Sequence, residues 1–248
     1  MAEQPSILVV GSINMDLAVR SAHMPAGGET VLGRGFTTSP GGKGANQAVA
    51  AARLGVRVAM IGRLGADAFG RTLRAGLRAE GVDDSRVRDT PDDATGVALI
   101  VVDAAGENAI VVASGANARL TPDDVFACED AFAVADVVLL QLELPLPTVR
   151  AALDMARRHG VRTVLDPAPA RAELPAELYQ VDIFSPNVSE AEILTGTQAV
   201  EERLGKRVAL ELIARGARAA VLKLSHRGAL VVTADSHFYT VPACKVTV

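Results

Sequence analysis

The segment PGGKGANQAVAAARLGVRVAMIG, residues 40–62, places a glycine-rich loop, a helix and a strand in direct succession. Its alanine-rich part predicts a helix over Lys43–Leu54, which a glycine ends, and its β-branched part predicts a strand over Val56–Gly62. Similar elements are predicted along the rest of the chain, as strands at Ser6–Gly11, Asp136–Gln141, Val161–Leu165, Asp182–Ser185 and Ala219–Leu224 and as helices at Ala66–Glu80, Leu146–His159, Ser189–Thr195 and Glu201–Arg215. Such alternation is typical of βαβ units. We therefore predict an α/β fold with helices on both faces of a mostly parallel sheet.

Two segments interrupt this alternation. Asn14–Arg20 has the character of a short strand, and Thr95–Asp103 and Asn108–Ala113 are two strands joined by a turn that contains glycine, which predicts a β-hairpin. Since the ligands of open α/β sheets bind at the carboxyl ends of the strands, we expect these strands to form a small lid over that edge. The expected organisation is one domain over residues 1–248, with lid strands inserted at about 13–40 and 95–114.

The composition excludes several classes of protein. The 248 residues carry 25 basic and 29 acidic side chains, a net charge of −4, and 3% aromatic residues, which argues against the basic and stacking surfaces of nucleic-acid binders. The aliphatic run Val97–Val102 is far shorter than the roughly 20 residues that span a bilayer, and the acidic N-terminus differs from the basic start of a signal peptide. Cys128 and Cys244 indicate neither a disulfide framework nor a metal site. We expect a cytoplasmic protein that acts on a small molecule, with no nucleic-acid or membrane partner.

The glycine-rich loop at Pro40–Gln47 is the most distinctive motif. It departs from the Walker A pattern, because Lys43 precedes a glycine rather than Ser or Thr, and it does not have the third glycine of the dinucleotide fingerprint. Consecutive glycines let the backbone approach a ligand closely, and the following helix places free N–H groups beside Lys43, with Asn46 in its first turn. These groups can donate hydrogen bonds to a polyol. On spacing alone, a tight turn without a ligand is the simpler interpretation.

Polar residues also follow the ends of two predicted strands. Asn14 and Asp16 come after the first strand, and alternation along an extended segment places both side chains on one face. A carboxylate beside an amide suits neighbouring hydroxyl groups of a ligand, although an Asx turn would also explain the pair. Glu143 is either a hydroxyl acceptor at the rim of a pocket or a solvated strand end. Ser12 is most simply a turn residue.

Two motifs in the second half allow both a nucleotide-binding and a structural interpretation. Asn187, with Glu190 three residues later, has the spacing of a helix capping box. The functional alternative is that Asn187 touches phosphate and that Glu190 orders the water shell of Mg²⁺. Ser225–Gly228 turns between two strands and either borders a nucleotide or forms a simple hairpin turn. The four histidines do not have the spacing of a metal site, and no Ser/His/Asp set is recognisable.

Taken together and in this order, the motifs resemble the ribokinase branch of the PfkB-type carbohydrate kinase family. The match runs nearly from end to end, and the GGKGANQA stretch with Asn14 and Asp16 is specific for that branch. The other segments that carry the resemblance are Gly11–Asp16, Pro25–Thr30, Gly62–Gly70, Thr95–Ala98, Gly115–Asn117, Gln141–Glu143, Asp166–Ala170 and Pro186–Glu190. The resemblance implies a ribokinase-like three-layer α/β/α sandwich with a small β-sheet lid. It also implies ATP-dependent phosphorylation of the 5-hydroxyl of D-ribose, with Mg²⁺ and with activation by a monovalent cation such as K⁺.

Particular residues take their expected roles from this resemblance. The sugar-binding positions of the family match Asn14, Asp16, Gly42, Lys43, Asn46 and Glu143. The ATP-binding side matches Asn187, Lys223, Ser225, His226, Arg227 and Gly228, and Glu190 matches the position that binds Mg²⁺ through water. The lid strands match strands that commonly pair with a second subunit, which implies a homodimer.

Two departures from the family pattern affect these expectations. The family more often has glycine where this chain has Ser225. After a segment that matches Pro242–Val248, the family continues into an Asp-Thr-x-Gly-Ala-Gly-Asp motif, whose glycines form an anion hole and whose last aspartate is the catalytic base. We therefore assign no catalytic base in this sequence, expect the base and the K⁺ ligands beyond Val248, and expect no turnover from these 248 residues alone. The alternatives are another sugar or nucleoside kinase of the family and a non-catalytic sugar-binding remnant.

Overall fold

Nine strands form a large, mostly parallel sheet in the computed structural model, which describes residues 4–198 and 202–244. In chain order, the strands of both sheets are β1 (Ser6–Val10), β2 (Asn14–Arg20), β3 (Arg34–Gly41), β4 (Arg57–Gly65), β5 (Val82–Thr90), β6 (Gly96–Val102), β7 (Asn108–Ala113), β8 (Val137–Leu140), β9 (Arg162–Leu165), β10 (Ile183–Phe184), β11 (Ala219–Lys223), β12 (Ala229–Thr233) and β13 (Phe238–Val241). The helices are α1 (Lys43–Arg53), α2 (Ala68–Ala79), α3 (Pro122–Phe126), α4 (Glu129–Ala133), α5 (Leu146–Arg158), α6 (Val188–Thr195) and α7 (Glu202–Ala214). The large sheet has the order β13-β12-β11-β10-β9-β8-β1-β4-β5, in which β12 is antiparallel to both of its neighbours.

The centre of the large sheet is buried on both faces. Successive side chains of a strand point to opposite faces, and in β1 they enter two different hydrophobic clusters. Leu8 and Val10 pack with residues of α5, α6 and α7, whereas Val9 packs with residues of α1 and α2. Helices therefore cover both faces of the sheet, which confirms the predicted three-layer α/β/α arrangement.

The predicted elements of the large sheet are present, with bounds that differ by at most three residues. The sequence pattern missed β5, β13 and, as an individual strand, β3, together with the short helices α3 and α4. In β5 most side chains are charged, and the buried Asp84 is neutralised by Arg74 and Arg78 of α2, while β3 contains Gly and Pro and is exposed along most of its length. Neither strand therefore has the alternating apolar residues that identify a strand in a sequence: β5 is held by ion pairs, and β3 is exposed to solvent. Glu201, where the predicted helix that corresponds to α7 begins, and residues 245–248 lie outside the described residues.

A second sheet of order β3-β2-β6-β7 is built from residues 14–41 and 96–113. It is attached to the large sheet at its root, where Asp67, the N-cap of α2, accepts hydrogen bonds from the backbone N–H and the hydroxyl of Thr95. Its exposed apolar side chains include Phe36, Leu99, Ile110, Val111 and Val112.

In the part of the chain that the structure describes, we find no helix with the length and apolar character needed to cross a bilayer.

Candidate active site

The candidate residues lie along one edge of the large sheet, at the carboxyl ends of its parallel strands. Asn14 follows β1, Glu143 follows β8 and Asn187 follows β10, while Lys223 is the last residue of β11. Because neighbouring strands are about 4.8 Å apart, β8 and β11 are separated by about 14 Å. The sugar candidates and the nucleotide candidates therefore form two clusters on one continuous edge, which is where open α/β sheets bind ligands.

Glu143 is the centre of the first cluster, and 11% of its side chain is exposed. Its Oε2 accepts hydrogen bonds from the Ser12 hydroxyl at 2.5 Å, the Lys43 backbone N–H at 3.2 Å and the Asn14 side-chain amide at 3.5 Å. Its Oε1 lies 3.5 Å from the Lys43 ammonium group. Since a buried carboxylate requires hydrogen-bond partners, this network holds Glu143 in one orientation and draws Asn14 and Lys43 to it.

Glycines in the loop bring α1 directly against the first strand. Gly42 has a φ of +90°, and a Cβ atom there would lie 2.6 Å from the backbone nitrogen of Asn14. A Cβ atom on Gly44 would lie 2.6 Å from the backbone of Gly11. The close approach of helix and strand therefore requires glycine at both positions.

The backbone N–H groups at the start of α1 are already hydrogen-bonded. The N–H of Lys43 donates to Glu143, while those of Gly44 and Ala45 donate to the hydroxyl and the carbonyl oxygen of Ser12, at 3.4 and 2.9 Å. The expectation that these N–H groups are free to bind a polyol is therefore wrong for the first three residues of the helix. The interpretation of Ser12 as a turn residue is also incomplete, because its hydroxyl joins the helix start to Glu143.

Asp16 lies beside this network, and no side chain or backbone group of the described residues donates a hydrogen bond to its carboxylate. Burial, and then the charge of Glu143, raise the pKa of Asp16 above its ordinary value of 3.8, while Lys43 acts in the opposite direction. The loop leaves space for the carboxylate, because a Cβ atom on Gly41 would overlap it. Asn46 is exposed on the first turn of α1, apart from the hydrogen-bonded network of the described residues. The sugar candidates that the structure brings together are Asn14, Asp16, Gly42, Lys43 and Glu143.

Asn117 is a member of this cluster that the sequence did not single out as a site residue. Its Oδ1 accepts a hydrogen bond from the Ile13 N–H at 2.9 Å. Its Nδ2 donates to the Ile13 carbonyl oxygen at 3.0 Å and to Oδ1 of Asn14 at 2.8 Å. The available signal was the segment Gly115–Asn117, which contributes to the family resemblance but has no spacing that indicates chemistry.

The second cluster is built around a capping box at the start of α6. Oδ1 of Asn187 accepts from the Glu190 N–H at 2.8 Å, and Oε2 of Glu190 accepts from the Asn187 N–H at 2.7 Å. The ammonium group of Lys223 lies 2.9 Å from Oδ1 of Asp166 and 3.8 Å from Oε2 of Glu190. The capping interpretation is confirmed, and the box leaves Oε1 of Glu190 for another partner.

The turn after β11 is a short 3₁₀ helix, Ser225–Arg227, whose residues are exposed, His226 among them. Ser225 has a φ of +54°, in the left-handed region that favours glycine. A Cβ atom on Gly228 would overlap the carbonyl oxygen of Val241, so the turn packs closely on β13. The backbone conformation thus gives a physical reason for glycine at the position of Ser225 in the family.

The described residues contain no group of three or more His, Cys, Asp or Glu side chains placed to hold a metal ion. Asp166 and Glu190, which lie on either side of Lys223, offer hard oxygen atoms. Such a pair fits Mg²⁺ only when water and nucleotide phosphates supply most of its ligands, which is the usual way in which this ion is held.

This chain is similar to known proteins in both sequence and structure. The pattern of the pfkB family carbohydrate kinases matches residues 4–248. The ribokinase of Haemophilus influenzae is 39% identical over 226 residues, which are 91% of this chain and 74% of that protein. The deoxyribokinase of Salmonella typhi is 36% identical over 241 residues, 97% of this chain and 78% of that protein. The structure of Arabidopsis thaliana ribokinase complexed with ribose and ATP matches with a TM-score of 0.86 and 30% identity, over 97% of this chain and 78% of that one.

Proposed function

The chain belongs to the pfkB family of carbohydrate kinases, as its motifs predict, and we propose that it transfers the γ-phosphoryl group of ATP to the 5-hydroxyl of D-ribose. One observation carries the proposal: the Asp16 carboxylate, without a hydrogen-bond donor among the described residues, lies beside a network of donors held by Glu143. The Asp16 carboxylate can accept hydrogen bonds from hydroxyl groups, and the Asn14 side-chain amide can donate to them. Together the two side chains suit neighbouring hydroxyl groups of a sugar. The similarity to a ribokinase complexed with ribose and ATP supports the same two substrates.

The sugar would be held both by hydrogen-bond acceptors and by hydrogen-bond donors. Asp16 accepts from two hydroxyl groups, and the Asn14 amide donates to a hydroxyl oxygen beside Glu143. The Lys43 side chain is 39% exposed, and its ammonium group can donate to the sugar while it stays near Glu143. Gly42 keeps the start of α1 against the backbone of Asn14 and so beside the sugar, and Asn46 supplies a further amide from the first turn of α1.

The nucleotide would lie across the ends of β10 and β11. Asn187 and the positive charge of Lys223 favour phosphate groups there, and the exposed turn borders the rest of ATP. The turn residues proposed for this contact are Ser225, His226, Arg227 and Gly228. Glu190 would hold Mg²⁺ through water, and the ion would neutralise the charge of the transferred phosphoryl group. Activation by K⁺ is part of the same proposal.

The catalytic base of the proposed reaction belongs to the Asp-Thr-x-Gly-Ala-Gly-Asp motif of the family, which is not within these 248 residues. A positioned base and an anion hole each contribute about 10²–10⁴-fold. Kinetic experiments therefore need an extended chain, by which we mean these 248 residues followed by the corresponding C-terminal segment of the Haemophilus influenzae ribokinase. We expect ribose turnover from the extended chain.

The small sheet is proposed to act as a lid and as the contact of a homodimer. Cross-strand pairing places Ala98 opposite Asp16 and Val112 opposite Ala98, so the apolar surface of the sheet begins beside the sugar residues. Ile110, 53% exposed, continues this surface. A second copy of the chain would cover it, and closure over the sugar would exclude water from the γ-phosphoryl group. We place the reaction in the cytoplasm, where ATP is available.

The test is an ADP-release assay on the extended chain with ribose and fructose, together with ³¹P NMR of the product. We expect kcat/KM for ribose to exceed that for fructose and the product to be the 5-phosphate. Binding of ribose without ADP release would favour the non-catalytic alternative. Preference for fructose would replace ribose by another sugar of the same family.

A second candidate substrate is 2-deoxyribose, which the 36% identity to a deoxyribokinase favours. Ribose and 2-deoxyribose differ by one hydroxyl group, and a site that hydrogen-bonds this hydroxyl rejects the sugar that has lost it. The same assay therefore includes 2-deoxyribose. A kcat/KM for 2-deoxyribose equal to or above that for ribose would establish the second candidate.

A further inference from the structure

Asn117 and Asn14 are hydrogen-bonded to each other in a place that water does not reach. Their exposed fractions are 1% and 2%, and Nδ2 of Asn117 lies 2.8 Å from Oδ1 of Asn14. Asn117 belongs to the short turn that follows β7, and Asn14 is the first residue of β2. The bond therefore joins two segments at the root of the small sheet, where a lost partner could not be replaced by solvent.

The backbone of Ile13 determines which way the Asn117 amide points. The Ile13 N–H requires an acceptor, and Oδ1 of Asn117 lies 2.9 Å from it. The Ile13 carbonyl oxygen requires a donor, and Nδ2 of Asn117 lies 3.0 Å from it. In a reversed amide, Nδ2 of Asn117 would face the Ile13 N–H and Oδ1 would face the Ile13 carbonyl oxygen, so neither hydrogen bond could form. The Ile13 backbone groups therefore fix the orientation of the Asn117 amide.

The orientation of the Asn117 amide in turn determines the orientation of the Asn14 amide. The second N–H of Asn117 faces Asn14, so the atom of Asn14 that meets it must be the acceptor Oδ1. Nδ2 of Asn14 then points the other way, toward Oε2 of Glu143 at 3.5 Å. A reversed Asn14 would place its carbonyl oxygen against the Glu143 carboxylate and its amide hydrogens against those of Asn117. Asn14 is thus held as a donor on the side of the sugar cluster.

The first residue of β6 completes the enclosure. A Cβ atom on Gly96 would overlap both Nδ2 of Asn117 and Oδ1 of Asn14, so the bond lies directly against a glycine. Gly96 is also paired with Asn14 in the parallel register of β2 and β6. The Asn117–Asn14 bond therefore exists only while β2, β6 and the turn after β7 keep this arrangement.

We propose that Asn117 is a positioning residue for the sugar: it holds the Asn14 amide with its N–H₂ toward the sugar cluster, so that Asn14 donates to a hydroxyl oxygen. The proposal rests on the proposed function, since it assigns a role at the same sugar site. Asn117 is enclosed between Ile13, Asn14 and Gly96, so it acts through Asn14 and needs no contact with the substrate.

The test is a double-mutant cycle of Asn14→Ala and Asn117→Ala in the extended chain, with KM for ribose and for ATP as readouts. Loss of one oriented hydrogen bond is expected to raise KM for ribose about five- to tenfold in Asn117→Ala, with KM for ATP within about twofold. In the Asn14→Ala background, Asn117→Ala should have no further effect on KM for ribose. An equal effect in both backgrounds would overturn the proposal.

Thr95→Val is the matched control, because it removes the hydrogen bond to Asp67 at the same root without touching Asn14. It should lower Tm and leave KM for ribose unchanged; a rise in KM equal to that of Asn117→Ala would contradict the proposal.

A second measurement separates this proposal from the proposed function. If the unsubstituted extended chain does not phosphorylate ribose, the proposed function fails. The contact is then tested by Tm of the 248-residue chain, where the two alanine substitutions should lower Tm by less together than the sum of their separate effects. Additive losses of Tm would overturn it.

Discussion

The two ends of the candidate site are built in different ways. At the sugar end, Ser12, Asn14 and Lys43 converge on one carboxylate, Glu143, and Asn117 holds Asn14 from behind. At the nucleotide end, a capping box and one lysine are followed by an exposed turn. Donors and acceptors are set at the first end before a ligand arrives, whereas the second end offers one ammonium group, Lys223, beside two carboxylates and an exposed turn.

This difference indicates where specificity lies. A sugar is recognised by the direction of its hydroxyl groups, so each donor and acceptor must be held in place, and an unpaired buried group is costly. Phosphate groups are recognised largely by charge, which tolerates movement. We therefore expect changes at the sugar end to alter the choice of substrate and changes at the nucleotide end to alter catalysis or Mg²⁺ use for every sugar alike.

The largest effect is expected at Asp16. Asp16→Ala removes the carboxylate that accepts from the sugar, and a hydrogen bond to a charged group contributes about 1.5–3 kcal/mol, with misplacement of the substrate adding to the loss. We expect kcat/KM for ribose to fall on the order of 10²-fold or more in the extended chain. Steady-state kinetics check this, and near-normal values would remove Asp16 from the pocket.

The next largest effect is expected at the dimer contact. Ile110→Glu places a charge in the exposed apolar surface of the small sheet, and loss of a central interface residue costs about 2 kcal/mol or more, about 30-fold in the dissociation constant. Sedimentation equilibrium should show the dimer dissociating at higher concentration than for the unsubstituted chain. Val134→Glu, on an exposed apolar residue outside the small sheet, is the control and should not change assembly. Unchanged dissociation of Ile110→Glu would place the contact elsewhere.

Glu190 tests the nucleotide end. Glutamine also serves in a capping box, so Glu190→Gln should leave Tm nearly unchanged. If Glu190 orders the water shell of Mg²⁺, activity of the extended chain should fall about tenfold and the Mg²⁺ requirement should rise. A variant with normal activity and normal Mg²⁺ dependence would leave helix capping as the whole role of this residue.

Asp16 also predicts how stability varies with pH. Burial and the charge of Glu143 raise its pKa in the folded chain, so the folded state binds this proton more tightly than the unfolded state does. The resulting stability is fully present below the unfolded pKa, near 3.8, and is lost as pH rises through the raised folded pKa. Asp16→Asn should therefore raise Tm at neutral pH while it weakens ribose binding. Identical Tm profiles from acid to neutral pH would contradict this.

The smallest effect is expected at Ser225. A left-handed conformation costs a residue with a side chain about 1–2 kcal/mol, and glycine offsets part of this gain by its freedom in the unfolded chain. Ser225→Gly should raise Tm by about 2–4 °C and leave KM for ribose unchanged. Thermal unfolding checks this, and a lower Tm would show that the serine side chain contributes a contact of its own.

Much of the fold could be predicted from the sequence, because the aliphatic strands and alanine-rich helices of the large sheet have clear periods. The spacing of Asn187 and Glu190 likewise predicts their capping box, since both partners lie within one helical turn. The strand β5 could not be predicted, because its buried positions include Asp84, which is tolerated only through arginines of α2.

The roles of Ser12 and Asn117 could not be predicted for a related reason. Ser12 meets a carboxylate 131 positions away, and Asn117 meets Asn14 103 positions away. Such pairs depend on how strand ends converge at one edge of the sheet, and no local spacing records them. The same convergence uses the N–H groups at the start of α1, which sequence alone predicted to be free.

The most direct test of the difference between the two ends is the ratio of kcat/KM for ribose to kcat/KM for fructose, measured in the extended chain and in its Asp16→Ala and Glu190→Gln variants. We predict a large ratio in the unsubstituted chain, a collapse of the ratio in Asp16→Ala, and an unchanged ratio in Glu190→Gln despite its lower activity. A ratio that persists in Asp16→Ala, or that falls equally in Glu190→Gln, would contradict a sugar end that alone determines the substrate.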